Sequence, residues 1–360
     1  MIAIFYERVI RVDKKALIAM SGGVDSSAAA LLAQQMGFQC MGAIMLLHTD
    51  TLTEAVEDAR KVAERLQMPF HVLDYSEQFR QCVMDAFVAS YEQGLTPNPC
   101  VECNKHLKFE RFLAGARELG CEYIVTGHYA RIEKNPETGR FLLLRGMDAD
   151  KDQSYFLYGL TQHQLSHTLF PLGNLTKAQV RETAEQFGFV NAHKRDSQDI
   201  CFVPDGDYLA FMTRYCGKTY EPGDFLDREG NVVGRHKGAV GYTLGQRKGL
   251  GLAMGEPVYV CGKDMRKNTV TVGPNEALFH SALLASDWNW IAIPELKEPL
   301  RLNAKTRSRQ AAQDAVVYPM ADGMHKVVFD TPQRAITPGQ AVVLYDGDSV
   351  VGGGTIQAVL

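Results

Sequence analysis

The alternation of apolar and polar positions changes rhythm in the second half of the chain. In the first half, short unbroken apolar runs are separated by stretches with helical spacing. Ala16-Leu17-Ile18-Ala19-Met20 is followed by a polar glycine turn and a helical stretch to about Met36. Phe38 to Leu47 and Phe70-His71-Val72-Leu73 predict further strands, with a helix over Glu54–Leu66 between them. Glu77 to Tyr91 and Lys105 to Leu119 predict helices, and Tyr123-Ile124-Val125 another strand. Short apolar strands alternating with helices predict a parallel sheet covered on both faces. Helical spacing continues to Tyr215, with Thr176 as N-cap of a helix to Phe187.

Beyond Gly217, glycine and proline become frequent and β-type runs take over, among them Pro257–Val260, Val270–Val272, Lys326–Phe329 and Ala341–Leu344. That pattern predicts small β-domains of barrel type. The expected organisation is an α/β parallel-sheet domain over residues 1–216, a small β-rich domain over 217–279 and a β-barrel over 280–360. No internal repeat or low-complexity tract interrupts it.

Composition removes several alternatives. Of 360 residues, 46% are apolar and 22% charged, which is ordinary for a globular chain and excludes disorder. No apolar run reaches the roughly 20 residues that span a bilayer. The first fifteen residues lack the apolar core of a signal peptide, so a cytoplasmic location and no membrane partner are expected. Eight cysteines in a reducing compartment do not form a disulfide framework. Net charge is −4, so any nucleic-acid surface must be local.

Ser21-Gly22-Gly23-Val24-Asp25-Ser26-Ser27 lies between the first strand and the first helix. Two glycines allow a tight turn with N–H groups aimed at an anion, the serines add hydroxyls, and the helix N-terminus favours negative charge. Asp25 beside phosphate calls for a bridging Mg²⁺. The alternative is a glycine turn capped by Asp25 or Ser26. The string is not a Walker A loop, because Met212 stands where Gly217-Lys218-Thr219 would need its first glycine. It resembles the PP-loop of ATP pyrophosphatases, which split ATP into AMP and pyrophosphate and activate an oxygen by adenylation.

The cysteines narrow the substrate. Thr96-Pro97-Asn98-Pro99-Cys100-Val101-Glu102-Cys103-Asn104-Lys105 reads as a proline-rich loop opening onto a helix, where the dipole and Lys105 favour a thiolate. Asp196-Ser197-Gln198-Asp199-Ile200-Cys201-Phe202 is a second polar, non-periodic site. Cys40 and Cys121 fall in or beside strands and read as small buried hydrophobes.

With these strings the chain resembles the tRNA-specific 2-thiouridylases over nearly its whole length. Further matching strings are Thr126–Tyr129, Lys151–Phe156, Ile200–Phe202, Thr243–Gly249 and Thr337–Gln340. The resemblance implies a PP-loop domain, a central domain and a carboxy-terminal β-barrel. The implied reaction is ATP-dependent 2-thiolation of the wobble uridine of tRNA. It implies ATP held by Ala19, Met20, Ser21, Gly22, Gly23, Val24, Asp25, Ser26 and Met45, with Gly127 near the adenine or ribose. It implies Cys201 as the persulfide carrier and Cys103 as partner nucleophile. Asn98, Pro99 and Cys100 would lie by the target base, and His128, Lys151, Asp152, Gln153, Arg307, Ser308 and Gln340 would contact tRNA. A persulfide-carrying donor protein is the implied second partner, and a monomer suffices.

Cys100 departs from the family, much of which has aspartate there. Cys100, Cys103 and Cys201 are thus also candidate ligands of an iron–sulfur cluster, although the fourth cysteine of a closed site is missing. The RNA surface is less legible. From Gly217 onward 16 Lys/Arg face 15 Asp/Glu, so only clusters such as Arg228, Arg235–Lys237 and Arg247-Lys248 stand out. Lys305, Arg307 and Arg309 alternate and would share one face of a strand. Taken alone, each cluster is an ordinary solvated surface. Two rival functions are another PP-loop ligase, of amidotransferase or argininosuccinate synthase type, and an RNA-binding or metal-sensing protein that keeps the loop without turnover. The first leaves Cys103 with Cys201 unexplained, and the second leaves the whole loop with both cysteines unexplained.

Overall fold

The computed structural model describes residues 14–48, 52–194 and 200–360, with side chains for all but 52 and 53. Asp196–Asp199 of the second cysteine string therefore lie outside the described residues. The chain divides into two compact units. Of the described residues, the first takes those up to Val83, then Cys100–Gln198 and Asp348–Val351; the second takes Met84–Pro99, the remainder of Asp199–Gly347, and Gly352–Leu360.

The first unit is built on a parallel sheet. Its strands are β1 (Lys15–Met20), β2 (Gln39–Leu46), β3 (Phe70–Asp74), β4 (Tyr123–Val125) and, after a hairpin of β5 (Ala130–Lys134) and β6 (Phe141–Arg145), β7 (Thr168–Leu169). The order is β3-β2-β1-β4-β7 and every pairing is parallel. Ala16, Leu17 and Ile18 have no exposed surface, as an unbroken apolar run inside a two-sided sheet requires. Helix Val24–Gln35 packs on β1 and against helix Lys177–Gln186. Its Ala28-Ala29-Ala30 stretch is fully buried, small side chains letting the helix sit close. The second of these helices has the predicted Thr176 cap as a full capping box with Gln179. The β5–β6 hairpin replaces part of the expected helical run. It adds Ser349 and Val350 as a neighbour of Leu144 and Leu143.

One boundary is corrected. The helix expected from Lys105 begins at Pro99, as an α-turn over Pro99–Glu102, continues as π-helix over Cys103–Arg111 and returns to α over Phe112–Glu118. Proline is favoured as a first helical residue because its missing N–H would have no partner there. Cys100 and Cys103 are consequently helical residues.

The second unit holds helix Tyr208–Cys216, capped by Asp207, and two β-structures. Strands β8 (Gly223–Leu226), β9 (Val232–His236), β10 (Tyr259–Asp264) and β11 (Thr269–Gly273) form a sheet in the order β10-β11-β8-β9 around Phe225, Val260, Val270 and Val272. Strands β12 (Phe279–Trp290), β13 (Leu300–Lys305), β14 (Gln313–Pro319), β15 (His325–Arg334), β16 (Ala341–Asp346) and β17 (Ser349–Val359) follow. They run β12-β15-β14-β13-β16-β17, and β17 pairs back onto β12, closing a six-stranded barrel. Closure leaves no open edge. Because β13 ends at Lys305, Arg307 and Arg309 lie in the bend beyond it and do not share a strand face with Lys305. The α/β class, with a central β-domain and a terminal barrel, is as the sequence predicts.

Candidate active site

In an open parallel sheet, ligands bind beyond the carboxyl ends of the strands, where the strand order reverses. Here the chain runs from β1 outward through β2 to β3, then returns to the other side of β1 with β4. The reversal lies between β1 and β4. Ser21–Ser27 leaves the end of β1, and Thr126-Gly127-His128 leaves the end of β4.

The loop holds its own shape. Ser26 and Ser27 donate their hydroxyls to the Gly23 carbonyl at 3.0 and 3.1 Å, and Ser26 Oγ accepts from the Ser21 amide at 3.1 Å. Gly23 caps helix Val24–Gln35 with no side chain, so no capping group covers the first-turn amides. Gly22 has φ +70°, and a Cβ there would lie 2.6 Å from the Ala55 carbonyl oxygen. A Cβ on Gly127 would lie 2.8 Å from Asp25 C and 2.9 Å from Ser26 N. Only glycine lets the β4 loop approach so closely. Ala19 and Met20 end β1, and Met45 stands near the end of β2 opposite Leu73.

Three residues missed by sequence reasoning complete this region. Lys177 donates to both carboxylate oxygens of Asp25 at 2.8 Å, and the Tyr129 hydroxyl donates to Oδ1 at 2.7 Å. The Lys177 and Asp25 side chains are only 11% and 32% exposed. Asn191 donates to the Gly22 carbonyl and to Ser27 Oγ, both at 3.0 Å, while its buried Oδ1 has no protein partner. Lys177 carried a signal: a cation in the first turn of a helix opposes the macrodipole and needs a reason. Asn191 carried none.

Other expected residues are placed as follows. His128 is buried between Phe109 and Phe170, with Nδ1 2.7 Å from Thr126 Oγ1. Desolvation, assisted by the Lys108 charge, holds its pKa well below the usual histidine value, so it is neutral at pH 7. Lys151 closes a turn with its amide on the Asp148 carbonyl at 3.0 Å, and Asp152 and Gln153 follow that turn. Asp152 accepts from the Gly146 and Ser154 amides, and Gln153 Oε1 accepts from the Tyr129 amide at 2.9 Å. Cys103 is buried at the start of the π-helical stretch, a form that often marks functional sites. The neighbouring Asn104 donates to the Phe156 carbonyl at 3.0 Å, and its buried Oδ1 has no protein partner. Cys100 is exposed; desolvation raises its thiol and the Lys108 charge, not Lys105, works against it.

In the second unit, Cys201 is exposed and precedes Phe202, whose buried ring packs edge-on against Phe87 at 5.3 Å. Asn98 and Pro99 follow Thr96-Pro97, whose carbonyls accept from Gln340 Nε2 at 2.8 and 3.1 Å. Arg307 Nη2 donates to the Leu244 and Ala335 carbonyls at 3.2 Å and to Thr337 Oγ1 at 2.8 Å; Ser308 is half-buried beside it. Arg247 and Lys248 are exposed. Among the described residues, no three His, Cys, Asp or Glu side chains are placed to hold a metal ion. None of the described helices is long and apolar enough to cross a membrane.

Three family models match the chain. They are described as a tRNA methyl transferase HUP domain over residues 14–205, a tRNA methyl transferase PRC-barrel domain over 209–274 and an aminomethyltransferase β-barrel domain over 280–356. Curated relatives include the tRNA-specific 2-thiouridylase MnmA of Clostridioides difficile, 48% identical over 97% of this chain and 99% of that protein. The protein of the same name from Heliobacterium modesticaldum is 49% identical over 94% of this chain and 91% of its own. Among solved structures, a 4-thiouridine synthetase–RNA complex with bound ATP aligns with TM-score 0.36 and 18% identity, covering 53% of this chain and 45% of that one. The NMN synthetase of Francisella tularensis aligns with TM-score 0.34 and 19% identity, covering 58% and 79%.

Proposed function

The chain belongs to the tRNA-specific 2-thiouridylase family, and from that premise we propose how its residues divide the work of ATP-dependent tRNA thiolation. The observation that carries the reading is the self-braced Ser21–Ser27 loop at the β1/β4 reversal, with Gly127 pressed onto its backbone. Its open helix amides suit the phosphates of ATP.

The C2 carbonyl of the wobble uridine is urea-like, and its oxygen does not leave unaided. Attack of that oxygen on the α-phosphorus expels pyrophosphate and leaves the oxygen as part of AMP, a competent leaving group. Cys201, exposed, receives a terminal sulfur from a persulfide-carrying protein. That sulfur attacks C2 and AMP departs. Cys103 then attacks the Cys201 sulfur, so the S–S bond breaks, the new sulfur stays on C2 and a disulfide between the two cysteines remains. A thiol reductant returns both to the starting state.

Asp25 fits a Mg²⁺ ion: it is a charged carboxylate in an anion-binding loop, and Mg²⁺ takes one or two carboxylates with phosphate oxygens. Mg²⁺ held there would neutralise charge on the departing pyrophosphate. Lys177, already on both Asp25 oxygens, brings positive charge to the same place. Neutral His128 and the Lys151–Gln153 segment shape the ground beside the loop where the nucleotide to be modified is received. Arg247 and Lys248 supply exposed charge for RNA phosphates.

Purified protein, unmodified tRNA, ATP and a small-molecule persulfide donor test the reading. Pyrophosphate release that requires tRNA, together with labelled sulfur appearing in 2-thiouridine, is expected. Pyrophosphate release at the same rate without tRNA would point to a different PP-loop ligase.

A further inference from the structure

The segment Thr96-Pro97-Asn98-Pro99 leads directly into the helix of Cys100 and Cys103, yet little in it can hold it in place. Pro97 and Pro99 have no N–H, so neither can donate to a sheet pairing, and Thr96-Pro97-Asn98 precedes the helix that opens at Pro99. The segment's carbonyls need donors from elsewhere. The structure shows where they come from. Gln340 Nε2 donates to the Thr96 and Pro97 carbonyls at 2.8 and 3.1 Å, and the Thr96 amide donates to the Pro338 carbonyl at 2.9 Å. Gly339, with φ +89°, lets the two backbones meet, because a Cβ there would stand 2.9 Å from the Thr96 nitrogen. The turn carrying these groups is itself fixed to the barrel. Gly339 N donates to Ile356 O, and Ile356 N donates to Gln340 O, both at 2.8 Å.

Arg307 extends the same construction to a third segment. Its Nη2 joins the Ala335 carbonyl and Thr337 Oγ1, at the start of that turn, to the Leu244 carbonyl in the Thr243–Gly249 loop. Close packing supports the join, since a Cβ on Gly245 would lie 2.8 Å from Ala335 Cβ. This loop carries the exposed Arg247 and Lys248.

We propose that Gln340 and Arg307 are positioning residues: Gln340 fixes the lead-in to the Cys100–Cys103 helix to the 335–340 turn, and Arg307 fixes that turn to the basic 243–249 loop. Gln340 Nε2 and Arg307 Nη2 are directed at protein carbonyls and a hydroxyl, where the family resemblance alone would aim these residues at tRNA. Contact of RNA with Arg247 and Lys248 is thereby linked, through two side chains, to the segment that presents the cysteines. The functional weight of the link rests on the thiolation reading; the contacts themselves do not.

Backbone hydrogen exchange in the free protein, without tRNA or ATP, separates the two roles. Gln340→Glu keeps size but loses the donors. It should raise exchange over residues 94–104 at least about tenfold while β1 is unchanged. Arg307→Met should do the same for both 94–104 and 243–249. With melting temperature held near that of the parent, tRNA affinity at moderate salt should change less than about threefold, and single-turnover thiolation should fall about tenfold. Unchanged exchange with tRNA affinity weakened tenfold would overturn the proposal in favour of direct RNA contact. Raised exchange with unaltered thiolation would overturn the positioning role. If the parent itself does not thiolate tRNA, the functional reading fails, while the exchange results still decide whether the clamp exists.

Discussion

Ser21–Ser27 and Thr96–Cys103 are both short strings that run into a helix, but they are held in opposite ways. The first braces itself: Ser21, Gly23, Ser26 and Ser27 bond to one another within seven residues. Residues 96–97 of the second are held by Pro338 and Gln340, more than 240 positions further along the chain. A site made of local backbone carries its conformation in its sequence. A site held by distant donors shows its chemistry in its sequence but not its shape. The first should resist changes elsewhere in the chain, and the second should not.

The largest expected effect separates the two by chemistry. Cys201→Ser should lower thiolation by about a thousandfold or more, yet leave tRNA-dependent pyrophosphate release within about threefold. Cys103→Ser should accept labelled sulfur and fail to pass it on. Loss of pyrophosphate release in Cys201→Ser would mean that the two regions are not separable.

Gly127→Ala tests how closely the loop is fitted. The added methyl meets the Asp25–Ser26 backbone below 3.0 Å, and ATP affinity should drop about a hundredfold, roughly 2.7 kcal/mol, in equilibrium binding. Retained affinity would show that the loop has slack. Lys177→Met probes one long-range dependence of the first region, the hold of Asn191 on Gly22 and Ser27 being another. It strands the Asp25 carboxylate, and denaturant titration should show a loss of about 3 kcal/mol, largely recovered in Asp25→Asn/Lys177→Met. No recovery would mean that Lys177 supports the fold through other groups.

Cys100→Asp, prepared aerobically without iron, should thiolate tRNA within a few-fold of the parent. Activity that appears only after anaerobic iron–sulfur reconstitution, and vanishes in this variant, would assign the three cysteines to a cluster. The smallest effect concerns Lys263, whose Nζ donates to the Tyr242 carbonyl just before the 243–249 loop and whose pKa burial brings down to about 8. Between pH 8 and 10.5 the unfolded chain holds a proton that the folded chain has released. The contribution of this group to stability therefore rises with pH across that window. Lys263→Met should flatten the rise in urea midpoints measured from pH 8 to 10.

Legibility followed the same division. β1, β2, the helix at Val24 and the Thr176 cap could be read from a few adjacent residues, because their hydrogen bonds or apolar faces are local. The β5–β6 hairpin was missed: it gains a neighbour only at Ser349 and Val350, which no local window contains. The helix start at Pro99 was missed because two prolines suggested a loop, although the second is a good first helical residue. The Asp25–Lys177 pair was invisible for the reason that hides most ion pairs, a separation of 152 residues.

Residues 348–351 belong with the first unit, while those that follow belong with the second. On a ribosome the polypeptide emerges in order, so the β6 edge waits for Ser349 and Val350 until more than 200 further residues have been made. For that interval Leu143 and Leu144 present an apolar strand without its final neighbour, the kind of surface that chaperones cover and that self-associates at high expression. Slower synthesis or lower temperature should therefore raise the soluble yield of the whole chain, and release of a nascent chain stalled near residue 340 should yield aggregates in place of enzyme.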